Sequence, residues 1–423
     1  MRRVIFAAAM LASISAGAQK ADAIISAKEV ERIETVLAAD DMQGRKPGTP
    51  GSEKAAQFIA AEFKKAGLQP VKGTSFLQEF SLYRPKLVSV KGEMDNTELD
   101  SKNIIVSTSQ TDFKANEKMG YAVQHIAAGT NLRAQYQAIR KDNKNTIVFV
   151  DTSFAKSFAQ LASARPAFSS PVNTIFILGN YEPKEFTIKA EFTFDVIKYT
   201  NVVGIIPGKG KKDEQVVFSG HYDHLGIGRP AANGDSIYNG ANDDAAGTTA
   251  VIMLANYFKK LGGNERTLVF AAFTAEESGG FGSQYFSRQL NPDKVMAMFN
   301  LEMIGTESKW GKNSAYITGY EKSDMGAILQ KNLEGTGFTF YPDPYTKENL
   351  FMRSDNATLA RLGVPAHTIS TSKMDSEPNY HKQSDEVGTL DMENMAQIIV
   401  AIAKSSTSII AGKDTPSRVK DVQ

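Results

Sequence analysis

The sequence predicts an α/β fold, a mixed central β-sheet flanked by helices, with an inserted, mostly β accessory domain. Three observations lead there. From Asn201 onward, apolar runs of strand length alternate with amphipathic stretches of helix length. Between about Pro85 and Lys198 the texture changes to short alternating runs. Ahead of both lies a purely helical opening.

In chain order, the opening helix starts at a capping box of Ser26 and Glu29. A Gly/Pro-rich loop over 44–51 (GRKPGTPG) leads to a second helix, with Ala55, Phe58, Ile59 and Phe63 on one face and Gly67 as its stop. The insert shows strand-like runs at 87–94, 146–151 and 185–194. Its only histidine, His125, stands alone and reads as a structural or surface residue. The later region gives strands at 215–220, 267–273, 296–301 and Ala366–Ser370, with helices over Ala246–Leu261 and Met392–Ser405. The predicted organisation is therefore a main domain over 19–84 and 199–412, an insert over 85–198 and a short tail over 413–423.

The first residues read as an export signal. Arg2 and Arg3 precede an apolar run over 4–14, and Ala16-Gly17-Ala18 supplies small residues for cleavage, so residues 1–18 are a signal peptide and the mature chain begins near Gln19. No later stretch reaches the roughly 18–20 apolar residues a membrane span requires. The expected compartment is the periplasm or the medium of a bacterium.

Composition narrows the chemistry. With 48 basic and 47 acidic residues in 423, the chain has no strong field for nucleic acid or anionic lipid. It has no cysteine, which excludes disulfides, thiolate metal sites and a cysteine nucleophile. Any metal must be held by His, Asp and Glu.

Five motifs follow predicted strand ends or open a helix. His221-Tyr222-Asp223-His224 ends the strand QVVFSG; an imidazole offers zinc a neutral nitrogen, and the Asp223 carboxylate is placed to accept its other N–H. His224 reads as a loop or outer residue rather than a ligand. Asp243 and Asp244, within a Gly240–Gly247 turn, either cap the following helix or bind a cation. Glu276 and Glu277 surface together after the apolar run TLVFAAF; two adjacent carboxylates there require a cation or a shared proton. Glu302 closes the next apolar strand, and His381 lies in a loop after AHTIS. Gly280-Phe281-Gly282 lacks the rest of a dinucleotide fingerprint, and the segment from Gly204 to Lys209 lacks the P-loop spacing. Two histidines and three carboxylates from five loops at one end of one sheet suit a pair of zinc ions.

These five motifs, in this order, resemble the M28 family of zinc aminopeptidases and related exopeptidases over roughly 28–83 and 201–405. The resemblance implies the zinc exopeptidase fold and two zinc ions. His221 and Glu302 would hold the first ion, Glu277 and His381 the second, with Asp243 bridging. It further implies Glu276 as general base, Asp223 and Asp244 as supports behind the ligands, a cis Asp243–Asp244 peptide, Tyr380 as oxyanion donor and Arg353 as a substrate contact. Substrates would be peptides or small amides; the oligomeric state is left open.

Two positions depart from the family pattern: Glu302 stands where Asp is usual, and Asn356 where His is frequent. Because that Asp also helps receive a substrate's free amine, carboxypeptidase or dipeptidase action is an alternative to aminopeptidase action. Glutaminyl cyclases, which share the fold, carry a tryptophan before the last histidine, whereas this chain has Tyr380 there and a single tryptophan, Trp310. A non-catalytic binding homologue would be expected to have lost ligands or the base, and all are present.

Overall fold

The computed structural model describes residues 23–162 and 165–420. The signal-peptide reading of residues 1–18 lies outside the described residues. The described residues form two compact units, one over 23–80 and 199–420, the other Ser81–Lys198. The insert, expected over 85–198, corresponds to the unit Ser81–Lys198.

The first unit is built on a mixed sheet. Its strands are β1 (Phe186–Ile206, of which 199–206 lies in this unit), β2 (Lys211–His221), β3 (Arg266–Phe273), β4 (Val295–Leu301), β5 (Ser314–Ile317), β6 (Thr339–Pro342) and β7 (Ala366–Ser370). Their spatial order is β6-β5-β7-β4-β2-β3-β1. The central pairs β3/β2, β2/β4 and β4/β7 are parallel, whereas β7/β5 and β3/β1 are antiparallel. Strands β5 and β6 are additions to the predicted set.

Parallel strands covered on both faces read as continuous apolar runs, and β3 is buried at every position. Alternate residues serve opposite faces. Val216, Phe218, Leu268, Phe270 and Phe299 face one layer, packed with helices α1 (Ala27–Leu37), α2 (Pro50–Ala66), α3 (Ala246–Leu261) and α4 (Met392–Ser405). Val217, Val269, Ala271 and Met298 face the other, packed with Phe286, Leu359 and Val364. Phe218 stacks between Phe270 and Phe299 at centroid distances of 5.6 and 4.9 Å, tying three neighbouring strands.

The helix ends follow their sequence signals. Ser26 accepts the Glu29 N–H, Thr49 accepts that of Ser52, and Gly67 ends α2 in the left-handed conformation at φ 82°. The described part of the predicted tail is packed: Val419 joins the second apolar layer, Arg418 donates to the carbonyls of Val295 and Pro292, and the carbonyl of Asp414 accepts from Arg266. The buried Val419 side chain anchors what composition alone marked as a tail.

The second unit is β-rich. Four strands run in the order Ile104–Ser107, Thr174–Leu178, Thr146–Val150, Ala122–Ile126. The last three are mutually parallel, and helix Leu132–Lys141 connects two of them as a crossover. Ile147, Phe149, Ile175 and Ile177 pack with Phe113 and Ile188, while Val148, Val150 and Phe176 pack with Ile139 and Phe158 on the other face. His125 is exposed, its ring 5.4 Å from that of Phe149. No helix among the described residues is long and apolar enough to cross a membrane.

One buried histidine gives the main sheet a pH dependence. On β7, His367 Nδ1 lies 2.9 Å from the Thr318 carbonyl, which only accepts, so Nδ1 carries the proton and Nε2 accepts from the Ser323 hydroxyl at 2.7 Å. Burial lowers its pKa from 6.5 to about 4. A depressed histidine contributes stability that is present above its unfolded pKa and is lost as pH falls through the folded value, here up to about 3 kcal/mol. The denaturation midpoint of the wild type should therefore fall more steeply than that of His367→Gln between about pH 7 and about pH 5. Parallel midpoint curves would show that His367 does not titrate across the transition.

Candidate active site

Because β2, β3, β4 and β7 are parallel, their carboxyl ends open on one edge of the sheet, where α/β folds place ligands. His221 ends β2, Glu276 and Glu277 follow β3, Glu302 follows β4, and His381 lies in the loop after β7. Asp243 comes from the turn 241–245 that enters α3. The structure brings all five predicted ligands together. Ala275, Met303 and His381, within or beside these segments, adopt left-handed φ values of 58°, 50° and 56°.

Asp243 is the centre of the cluster. Its Oδ1 lies 3.3 Å from His221 Nε2, and its Oδ2 lies 3.2 Å from His381 Nε2. On the His221 side, Glu302 Oε1 is 3.7 Å from His221 Nε2. On the other side, Glu277 Oε1 is 3.2 Å from His381 Nε2 and 2.9 Å from His224 Nδ1. The Asp243–Asp244 peptide is cis, as the resemblance implied.

The supporting groups differ in part from expectation. His221 Nδ1 faces the backbone carbonyl of Asp223 at 3.1 Å, while the Asp223 carboxylate is 3.7 Å away and accepts the Glu276 backbone N–H instead. Asp223 therefore orients His221 through its main chain, and its carboxylate pins the loop after β3. The carbonyl fixes the proton on Nδ1 and leaves the Nε2 lone pair facing Asp243 and Glu302. Asp244 accepts from the backbone N–H groups of His221, Gly247 and Met303 at 3.0–3.1 Å, so one carboxylate ties three segments of the site. Asp385 does the same for the turn before α3, accepting from the N–H groups of Asn242 and Asp243 at 2.9 and 3.0 Å.

Glycines admit this crowding. A Cβ on Gly240, at φ 56°, would meet the Asp243 carbonyl oxygen at 2.3 Å and the His224 ring at 2.5 Å; one on Gly247 would meet the Leu301 carbonyl oxygen at 2.1 Å.

Glu302 carries one methylene more than the family's usual Asp, and the structure shows where its second oxygen goes. The Ser354 hydroxyl donates to Oε2, and Ser354 in turn accepts from Asn300 at 2.7 Å. Asn356 is turned to structural use: it donates to the carbonyls of Phe351 and Ala366 and accepts from Thr368. Tyr380 stacks on His381 with ring centroids 3.9 Å apart. Tyr380 and Arg353 line the same cleft as Glu276, Asp243, Glu277, Glu302 and His381, beside Met303, Tyr316 and Leu350. Arg353 is partly exposed, 3.6 Å from Glu348. Trp310 stacks on Tyr341 and is not among the cleft-lining residues.

The donor set fits zinc. His221 Nε2 and Glu277 Oε1 are buried without a hydrogen-bond partner, and two groups, His221/Asp243/Glu302 and His224/Asp243/Glu277, each bring their ligand atoms within 4.8 Å of one another. Packed imidazoles and carboxylates with unpaired atoms demand positive charge. The side chains already respond to that demand: Asp243 and Glu277 raise His381 to about 10, and Glu277, which burial would push up, is held at about 2 by His224 and His381. His224 is thus a site residue that the sequence reading placed outside the ligands; the signal for it was the His-x-x-His spacing at the end of β2.

Known proteins resemble this chain in sequence and in fold. Leucine aminopeptidase 1 of Paracoccidioides brasiliensis (strain Pb03) is 27% identical over 259 residues, 58% of this chain, and the match spans 64% of that relative's length. Leucine aminopeptidase 1 of Emericella nidulans is 25% identical over 296 residues, covering 66% of this chain and 72% of its own. The same fold occurs in the zinc aminopeptidase of Bacillus subtilis, with TM-score 0.56, 18% identity, and coverage of 94% of this chain and 98% of that one. It occurs also in the aminopeptidase of Aneurinibacillus sp. strain AM-1, with TM-score 0.56, 16% identity, and coverage of 96% and 98%. The model of peptidase family M28 matches residues 201–406, the segment that carries all five predicted ligands, in agreement with the resemblance read from the five motifs.

Proposed function

We propose that this protein is an exported, dinuclear zinc exopeptidase that hydrolyses peptide bonds by aminopeptidase action, with Glu276 as general base. The observation that carries the proposal is the pair of donor sets, His221/Asp243/Glu302 and Asp243/Glu277/His381, sharing Asp243 at one cleft with Glu276 beside them. Export is supported by the basic, apolar and small-residue succession at the start of the sequence.

Zinc, when bound, supplies Lewis acidity and brings the pKa of water down towards about 7. The remaining work belongs to side chains. The Glu276 carboxylate, on the cleft, takes a proton from the attacking water and passes it to the leaving amine. Tyr380 stays protonated, since burial raises its pKa to about 12, and its hydroxyl donates to the oxygen on which negative charge develops. Arg353, at the cleft, offers a cation to a substrate carboxylate or carbonyl. Ser354 fixes Glu302, so that the longer side chain presents one oxygen towards His221.

The test is an assay of the mature chain, from about Gln19, on matched peptides with free or blocked termini, before and after chelation and zinc restoration. Cleavage confined to peptides with a free N-terminus, lost on chelation and regained with zinc, is the expected result. Cleavage of N-blocked peptides with a free C-terminus would assign carboxypeptidase action instead, and chelator-resistant turnover would defeat the zinc reading.

A further inference from the structure

His224 is a histidine for which a peptidase needs no role if the second ion is held by Asp243, Glu277 and His381 alone. Yet it is 1% exposed, its Nδ1 lies 2.9 Å from Glu277 Oε1 and 4.0 Å from Asp243 Oδ2, and its Nε2 is buried without a partner. Its ring stands edge-on to that of His381 at 5.7 Å, and Gly240 leaves room for it where any Cβ would collide. Donors about 2.0–2.1 Å from one zinc ion at tetrahedral angles lie about 3.3 Å from each other. The Glu277, Asp243, His381 and His224 atoms show separations of 3.2, 3.2, 2.9 and 4.0 Å.

We infer that His224 is a fourth protein donor to the cation held by Asp243, Glu277 and His381. The inference rests on the dinuclear zinc reading proposed above. Its consequence is an asymmetric pair. The set with His224 would offer four protein donors, whereas the set of His221, Asp243 and Glu302 would offer three and leave a position for water or substrate. The rival role for His224 is a hydrogen bond from Nδ1 to Glu277 that only positions that ligand.

The experiment uses zinc itself on the full mature chain. Zinc content after equilibrium dialysis gives the stoichiometry, and zinc X-ray absorption gives the imidazoles bound per ion. The wild type should hold two ions with three imidazoles between them. His224→Gln retains an N–H that can donate to Glu277 but removes the ring nitrogen; it should lose one imidazole and weaken one ion by more than the roughly 10–100-fold that loss of a supporting hydrogen bond costs. Two imidazoles per two ions in the wild type, or a Gln variant that binds both ions as the wild type does, would overturn the inference and assign the positioning role. Fewer than two ions in the wild type would instead defeat the dinuclear reading on which it stands. The wild-type imidazole count decides the matter even if the variant fails to fold.

Discussion

Replacing Glu276 by Gln is expected to lower kcat by about 10²–10⁴-fold, equivalent to about 3–5 kcal/mol of barrier, with zinc content unchanged. On the proposed reading the two neighbouring glutamates divide the labour. Glu277 Oε1 is committed to the cluster, 2.9 Å from His224 and 3.2 Å from His381. Glu276 lines the cleft, and its backbone N–H is fixed by Asp223 at 3.1 Å, so the amide variant keeps both shape and anchorage. Burial and the nearby carboxylates Glu302, Asp355 and Asp223 raise the Glu276 pKa well above its ordinary value. A glutamine there cannot accept the proton, while nothing that binds zinc is removed. The corresponding change at Glu277 should show the opposite signature, loss of one ion together with activity. Near-normal kcat in a Glu276→Gln protein that carries its full zinc would assign the proton transfer to another group.

The division between what was legible in the sequence and what was not follows the range of the interactions. The ends of α1 and α2 are written in local capping signals, and the parallel core strands in uninterrupted apolar runs. The ligand motifs were legible because each closes such a run. By contrast β5 and β6 are four-residue strands, SAYI and TFYP, whose existence depends on pairing with each other and with β7 rather than on any local pattern. Asp223 was correctly placed next to His221, but whether its carboxylate or its carbonyl meets the ring is decided by the turn, not by the spacing. His224 was passed over because its partner, Glu277, lies 53 positions away on another strand end, and the packed tail because the apolar layer that receives Val419 is assembled from distant segments.

The same reasoning explains a residue no motif announced, and the largest expected effect on stability. Arg45 stands in the glycine-rich loop before α2 and is fully buried, its guanidinium spread over four carbonyl oxygens: Tyr222 at 2.7 Å, Leu37 at 2.8 Å, Gly240 at 2.8 Å and Asn239. Tyr222 follows the ligand His221, and Asn239-Gly240 opens the turn that delivers Asp243, so one side chain fastens two ligand-bearing loops to the end of α1. Arg45→Met keeps much of the volume and removes every donor, leaving these carbonyls buried and unpaired at about 1–3 kcal/mol apiece before relaxation. Allowing for relaxation, the expected loss is about 3–5 kcal/mol, or a fall in Tm of roughly 5–8 °C, accompanied by zinc affinity lower by about 10–100-fold. Arg45→Lys should recover only part of this, since a single ammonium cannot reach carbonyls on three segments as the planar fork does. The measurements are thermal unfolding and zinc titration of the three proteins side by side. A methionine variant that melts within about 2 °C of the wild type and binds zinc equally would mean that the loops hold their geometry through Asp244 and Asp385 alone. The expected order, wild type above Lys above Met in both readouts, would show that the metal site is organised from behind by a cation as well as from the front by its ligands.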